Sequence, residues 1–386
     1  MSKQLRIWLF ALLGTLLTST SLLAEGVVTM TTSKAVGETV KLRIEANGNV
    51  TIEGVKELPQ LGKDKKNYTL TSQTITIHGD VTKLDCSDNQ LTSLDLPKST
   101  VLTWLWCSGN QLTSLDLSNN TALTTLGCSN NQLTSLNVSK NTALTGLDCS
   151  DNQLTSLDLS QNTALIVLCC FNNQLTSLDV SKSTALKMLS CHNNQLTSLD
   201  VSKNTALTKL NCSFNKLTSL DLPKNTALTT LYCDRNQLTR LDVSKNAALT
   251  ELGCSENQLT RLDVSKNTAL TTLFCFENKL TSLDVSKNIA LTELYCSNNQ
   301  LTSLNVSRCA RLNTLYCDSN RINGKAMNKL VNSLPNRRRK SSGGILLVDN
   351  SPEKRDKNRC SPADVTTARR KNWEVLKLES SKIRAF

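Results

Sequence analysis

The sequence predicts an α/β solenoid with a parallel sheet along one side, and three observations predict it. Cysteines 86, 107, 128, 149, 170, 191, 212, 233, 254, 275, 296 and 317 fall 21 residues apart across eleven successive intervals. Around each recurs one apolar frame, such as Leu228, Leu231, Cys233, Leu238, Leu241 and Val243, with Asn236 inside it. The 386 residues include only 14 aromatics and 6 prolines, a leucine-built composition unlike the varied core of a conventional enzyme. A fixed period of this length marks a stacked array, because one short unit cannot bury its apolar face alone while neighbouring units bury theirs together.

With the leading Leu or Val of each unit as position 1, twelve coils of 21 residues start at Val81 and run to about Ile322. Positions 1, 4, 6, 11, 14 and 16 are apolar and point inward. The frame L-x-x-L-x-C-x-x-N-x-L is the leucine-rich repeat pattern. It predicts a horseshoe whose concave side is the parallel sheet, with a short strand at positions 3–7 of each coil. At about 4.8 Å per strand the array is roughly 50–60 Å long. The Asn at position 9, as in Asn110, Asn131 and Asn236, has a side chain suited to satisfying backbone groups where the strand turns. The convex side around Ser-Lys-Asn-Thr-Ala is too short for a full helix and is expected to be turns or 3₁₀ pieces.

The two ends read differently. Residues 25–80 alternate apolar and polar side chains at 39–44, 49–52 and 68–77, as strands of a β-rich cap over the first coil's open edge do. Residues 323–386 form an α/β cap. There Ala326, Met327, Leu330, Val331 and Leu334 have helical spacing, and Pro335 stops the helix. Residues 345–348 are a buried-strand candidate, Ser361-Pro362-Ala363-Asp364 opens a second helix, and residues 373–378 form a final strand.

Residues 1–24 have the order of a secretory signal: Lys3 and Arg6, an apolar stretch over residues 7–17, then Ser/Thr and the small Ala24. That stretch is too short to span a hydrocarbon core, which needs about 20 residues. Export without a membrane span is therefore expected. The net charge of +12 is unevenly placed: residues 25–322 hold 26 Lys/Arg against 26 Asp/Glu, whereas residues 323–386 hold 16 against 6. A neutral body excludes specific nucleic-acid binding over the whole molecule. It leaves a polyanion-binding scaffold, built on the basic C-terminal segment and its Arg337-Arg338-Arg339-Lys340 run, as one alternative role.

The ladder cysteines replace an inward apolar residue, and a free thiol packs as a small, soft hydrophobe. They are expected to be reduced core side chains. No C-x-x-C exists, His78 and His192 are the only histidines, and a line of thiols is not a tetrahedron, so neither a metal nor any other cofactor is expected. Cys169, Cys309 and Cys360 lie off the ladder and are the candidate reactive thiols; a Cys309–Cys360 bridge from array to cap is one possibility. Cys169 and His192, on adjacent coils, are the only residues on which a secreted cysteine hydrolase would rest, at a diagonal separation of about 7–8 Å. No catalytic residue is assigned. On the convex side the Lys column at position 18 and the Asp column at position 15 are expected to neutralise one another as a solvated surface.

All nine aromatics of the repeat body, Trp104, Trp106, Phe171, Phe214, Tyr232, Phe274, Phe276, Tyr295 and Tyr316, fall at positions 3, 5, 7 or 8, and none at positions 12–21. Those positions leave the sheet outward. A solenoid needs no aromatic there for its own core, so the row reads as a recognition surface. The candidate partner-binding residues are Trp104, Trp106, Phe171, His192, Tyr232, Arg235, Phe274, Phe276, Tyr295 and Tyr316, with Glu251 and Glu293 beside the C-terminal group.

The cysteine-bearing 21-residue frame over residues 81–322 resembles the bacterial internalin group of leucine-rich repeat proteins, in particular internalin J-like members with a cysteine ladder. The resemblance implies an exported protein that mediates surface recognition: adhesion to host cells or to other bacteria, as in biofilm, through a protein or glycan partner. Internalins generally begin with a helical cap, whereas residues 27–80 here read as strands, and the C-terminus carries no cell-wall sorting motif.

Overall fold

The structure is a computed structural model that describes residues 26–96, 101–337, 341–349, 356–379 and 382–385. The segment expected to be a secretory leader and the basic residues 338–340 lie outside the described residues. At the N-terminal end, alternation becomes antiparallel sheet: β1 (Val27–Thr32), β2 (Thr39–Glu53), β3 (Lys66–Thr69) and β4 (Thr74–Asp85). The start of β4 pairs antiparallel with β1, and its last three residues, Lys83, Leu84 and Asp85, pair in parallel with the next coil. One strand thus belongs to both the end structure and the first coil. That coil returns as β5 (Leu91–Asp95), antiparallel to β1. Val28, Met30, Val40, Leu42, Ile44, Tyr68, Ile75 and Ile77 are fully buried in the same core that continues through the repeats.

Eleven three-residue strands follow at the repeat period. They are β6 (Trp104–Trp106), β7 (Thr125–Gly127), β8 (Gly146–Asp148), β9 (Val167–Cys169), β10 (Met188–Ser190) and β11 (Lys209–Asn211), then β12 (Thr230–Tyr232), β13 (Glu251–Gly253), β14 (Thr272–Phe274), β15 (Glu293–Tyr295) and β16 (Thr314–Tyr316). Each pairs in parallel and in register with the next, Leu231 opposite Leu252 and Leu252 opposite Leu273. Because side chains alternate, the central leucines enter the core while positions 3 and 5 face outward. The chain is a leucine-rich repeat solenoid.

The strands occupy positions 3–5, shorter than the expected 3–7. Beyond them, at position 8, every coil turns through a left-handed residue, from Asn130 at φ 51° to Gly109 at 67°. Inter-coil hydrogen bonds nevertheless persist past the strand, as from Cys233 N to Gly253 O at 2.8 Å and Arg235 N to Ser255 O at 2.9 Å.

Two columns of amides lock coil to coil. The position-9 Asn acts as expected. The Asn236 Nδ2 donates to the carbonyls of Cys212, Cys233 and Asp234, and its Oδ1 accepts from Leu217 N. The column ties into both ends: Asn89 of the first coil exchanges hydrogen bonds with the Lys41 backbone on β2, and beyond the last coil Asn358 donates to Cys317 O and Leu347 O. The second column was not anticipated. At position 19, buried Asn246 donates to Leu222 O and Asn225 O of the preceding coil, with equivalents from Asn141 to Asn288. Ser183 and Cys309 stand in for Asn in this column.

The C-terminal end extends the sheet. After β16 come helix α1 (Lys325–Ser333), β17 (Gly343–Asp349), helix α2 (Pro362–Arg370), β18 (Trp373–Glu379) and the antiparallel β19 (Lys382–Ala385). Thr314 pairs with Gly344 and Gly344 with Glu374, so two longer, helix-bearing turns continue the parallel ladder. Helix α1 buries Met327, Leu330 and Val331. Helix α2 starts at a reciprocal capping box between Ser361 and Asp364, with Pro362 in the first turn.

Candidate recognition surface

Positions 3 and 5 of the strands, with the exit positions 7 and 8, build one outward face, and the predicted residues fall on it in separate groups. Near the N-terminal end Trp104 and Trp106 stack, ring centroids 5.5 Å apart, and the Arg43 guanidinium from β2 lies 4.9 Å from the Trp104 ring. Trp106 also covers Gly127, where a Cβ would stand 3.2 Å from the indole. It is still 40% exposed.

In the middle, Phe171 and His192 stack at 4.4 Å. The His192 Nδ1 shares a 3.0 Å hydrogen bond with Ser190 Oγ, and burial holds its pKa below the ordinary value. Burial and the neighbouring Asp148 push the Cys169 thiol up to about 11. A cysteine nucleophile requires the reverse, a thiol depressed by a nearby positive charge. The ring that would serve as its base is committed to Phe171 and Ser190.

Toward the C-terminal end the position-5 side chains make a continuous row. Phe274 stacks on Tyr295 at 4.8 Å, and Tyr295 meets Tyr316 edge-on at 5.1 Å. Each row member is half-buried, as is Phe276 at the adjoining exit position. Position 3 supplies carboxylates: Tyr232 Oη donates to Glu251 at 2.6 Å, and Tyr295 Oη donates to Glu293 at 3.2 Å. Burial and the neighbouring carboxylates raise both phenols, Tyr295 to about 12. A cavity of about 300 Å³ opens beside Tyr232 and Glu251, lined also by Met188, Ser190, Lys209 and Asn211.

Arg235 belongs to a second row along the turn. Its guanidinium lies 4.6 Å from the Phe214 ring, and its Nε reaches Glu256 Oε1 at 2.6 Å. Phe214, Arg235, Glu256 and Glu277 all hold φ between 51° and 55°. Other coils place Asn, Asp, Gly or Ser at this position, and a left-handed residue of another type costs roughly 1–2 kcal/mol. Sequence reasoning named Arg235 but missed Glu256 and Glu277. Departure from the small turn residues of position 8 was the signal that would have found them.

Several expectations are corrected. Cys309 is fully buried, its Sγ 3.6 Å from Val285 O, and neither it nor Cys360 is bridged. It fills an Asn site in the convex column and is not a reactive thiol. Cys360 is half-buried, and burial pushes it up to about 12. Arg337, assigned to the basic loop, is 6% exposed: it donates to Leu312 O at 2.9 Å and lies 5.9 Å from the Trp373 ring. The position-15 carboxylates form no close ion pair with the lysine column among the described residues, although Lys203, Lys224 and Lys245 help to hold Asp200 and Asp242 down, as expected of columns that offset one another. Asp158, Asp200 and Asp242 each accept from the backbone N–H two residues on, which is the main cause of their lowered pKa. Among the described residues no His, Cys, Asp and Glu cluster could hold a metal ion, and no helix is long and apolar enough to cross a membrane.

A family model of leucine-rich repeats matches residues 163–204 and 205–246. No curated protein matches the chain. Among solved structures, the functional domain of InlJ from Listeria monocytogenes, which includes a cysteine ladder, is 33% identical, covering 73% of this chain and 78% of that one at a TM-score of 0.50. The internalin InlF of the same organism shares the fold at 21% identity and a TM-score of 0.68, over 76% and 86% of the two chains. YopM from Yersinia enterocolitica is 26% identical over 74% of this chain and 58% of its own, with a TM-score of 0.54. The solenoid and these similarities support a role in protein interaction or recognition. By its repeat frame, its buried cysteine ladder and its likeness to the InlJ domain, this chain belongs to the internalin-like leucine-rich repeat proteins.

Proposed function

We propose that the protein is an exported, non-enzymatic adhesin whose sheet face engages a protein or glycan on a host-cell or bacterial surface. The observation that carries this reading is the aromatic row Phe274, Tyr295 and Tyr316, stacked on the outward side of a solenoid whose core is complete without it. The neighbouring position-8 residues reinforce it, because four adjacent coils accept left-handed strain where Asn or Gly would relieve it. Half-buried aromatics held in place by stacking lose little freedom on binding, and aromatic and Arg anchors dominate binding energy at interfaces. Export rests on Lys3, Arg6, the apolar stretch over residues 7–17 and Ala24.

Protease shaving of intact producing cells, with fluorescent protein added to host epithelial and bacterial cells in parallel, tests the reading. Loss of the protein on shaving, or recovery from the medium, together with saturable binding to one cell type is expected. Retention inside the cell with no binding to either surface would overturn it.

A further inference from the structure

The chemistry of the C-terminal half of this face points to a narrower class of partner; the inference rests on the recognition reading above. On a chain with a net charge of +12, β13 to β15 present an outward face that is acidic and aromatic. Glu251 and Glu293 stand at position 3 of β13 and β15 with Thr272 directly between them, and Phe274 stands two residues along that middle strand, at position 5. Among the described residues neither carboxylate is in an ion pair, and each is fixed by a tyrosine hydroxyl. The nearest cation of the turn row, Arg235, is spent on Glu256, and Lys209, which lines the cavity beside Glu251, forms no ion pair with it among the described residues. Glu277 adds a further exposed carboxylate on the coil of Phe274.

A carboxylate without a cation beside an aromatic face is the combination that holds an ammonium or guanidinium: the ring quadrupole attracts a cation within about 6 Å of its centroid, and the carboxylate supplies a charge-assisted hydrogen bond. The Tyr295 ring already covers one side of Phe274, 4.8 Å away. Strand spacing sets the interval. Glu251 and Glu293 are two strands apart, or about 10 Å at about 4.8 Å per strand. A polypeptide crossing the strands as a polyproline II helix advances about 9.3 Å in three residues and returns the side chain to the same side. A fully extended strand would turn residue i+3 to the opposite side.

We infer that this face binds an extended, polyproline-type protein segment carrying Arg or Lys side chains three residues apart, seated at Glu251 and Glu293 across Thr272 and beside the Phe274 ring.

Panning a phage-displayed random dodecapeptide library on the full-length secreted chain tests this. Enrichment of peptides with Arg or Lys at i and i+3 is expected, even though a basic protein repels basic peptides in general. Their synthetic forms should bind Glu251→Gln/Glu293→Gln about tenfold more weakly, with a smaller salt dependence. Enriched neutral or acidic peptides that need Tyr232, Phe274 and Tyr295 but bind the double Gln variant unchanged would overturn the cationic inference and leave the recognition reading intact. Full displacement of the basic peptides by millimolar tetramethylammonium would overturn the polypeptide assignment, because a lone cation would then suffice. Peptides insensitive to both sets of variants would overturn the inference and the reading together.

Discussion

The Tyr232 ring lies over Gly253 of the next coil. A Cβ built on that glycine would stand 2.6 Å from Tyr232 Cδ1 and 2.6 Å from Asp234 Oδ2. Gly127 bears the same relation to Trp106 at the other end of the sheet. An aromatic at position 5 therefore shields the exposed backbone of the following strand, while the glycine gives the ring room to lie flat. Gly253→Ala should force the ring outward and cost about 1–3 kcal/mol in urea unfolding, as overpacking does. Unchanged stability would mean that the ring is not held there.

The position-9 amides should be worth more than any surface contact. Asn236→Ala leaves Leu217 N and the carbonyls of Cys212, Cys233 and Asp234 without their side-chain partner. Each carbonyl keeps a second donor, Asn215 Nδ2 at Cys212, Asn257 Nδ2 at Cys233 and Phe214 N at Asp234, so Leu217 N is the group left unsatisfied and a loss of about 1–3 kcal/mol is expected by chemical denaturation. Asn236→Asp should fare no better, because a carboxylate cannot donate.

Alkaline pH should unfold this protein steeply. Burial pushes the ladder thiols up, Cys86, Cys191 and Cys275 to about 12, from an ordinary value of 9.0. Their folded-state pKa is raised, so the stability they contribute is present below pH 9.0 and is lost as pH rises toward 12, while only the unfolded chain ionises. Each thiol then removes about 1.4 kcal/mol per pH unit. Urea midpoints in reductant should be flat from pH 7 to 8.5 and fall sharply by pH 10. A flat profile to pH 10 would mean that the thiols ionise in the folded chain.

Relief of the turn row should stabilise the fold. Glu277 is exposed and in no ion pair among the described residues, with φ 52°. Glu277→Gly and Glu277→Asn should each gain about 1 kcal/mol, with Asn matching the coils that already carry it. A loss on both substitutions would show that Glu277 makes contacts worth more than its strain.

The period alone made the array legible: each inward Leu and Cys was readable because one interior is shared by every coil. The helix at Met327 and Leu330 and the Ser361 capping box were equally readable, since spacing and caps are local signals. The position-19 Asn column was not. Its residues lie within the polar Ser-Lys-Asn-Thr-Ala stretch, and only coil stacking shows that Asn246 is buried beneath it. Arg337 was misread for the same reason: its burial against Trp373 and Leu312 is a long-range contact that a run of charge conceals. The outward groups were legible as a face, but not their pairings. Stacking of Phe171 on His192 and of Arg235 on Phe214 depends on inter-coil register.

The central claim is that the position-5 row, besides shielding the backbone of following strands, is the contact surface. Its direct test is cell binding by a Tyr232→Ser/Phe274→Ser/Tyr295→Ser variant whose circular dichroism and cooperative unfolding match the wild type. Binding reduced by about a hundredfold, or about 2.7 kcal/mol, is predicted. Undiminished binding by the folded variant would contradict the account.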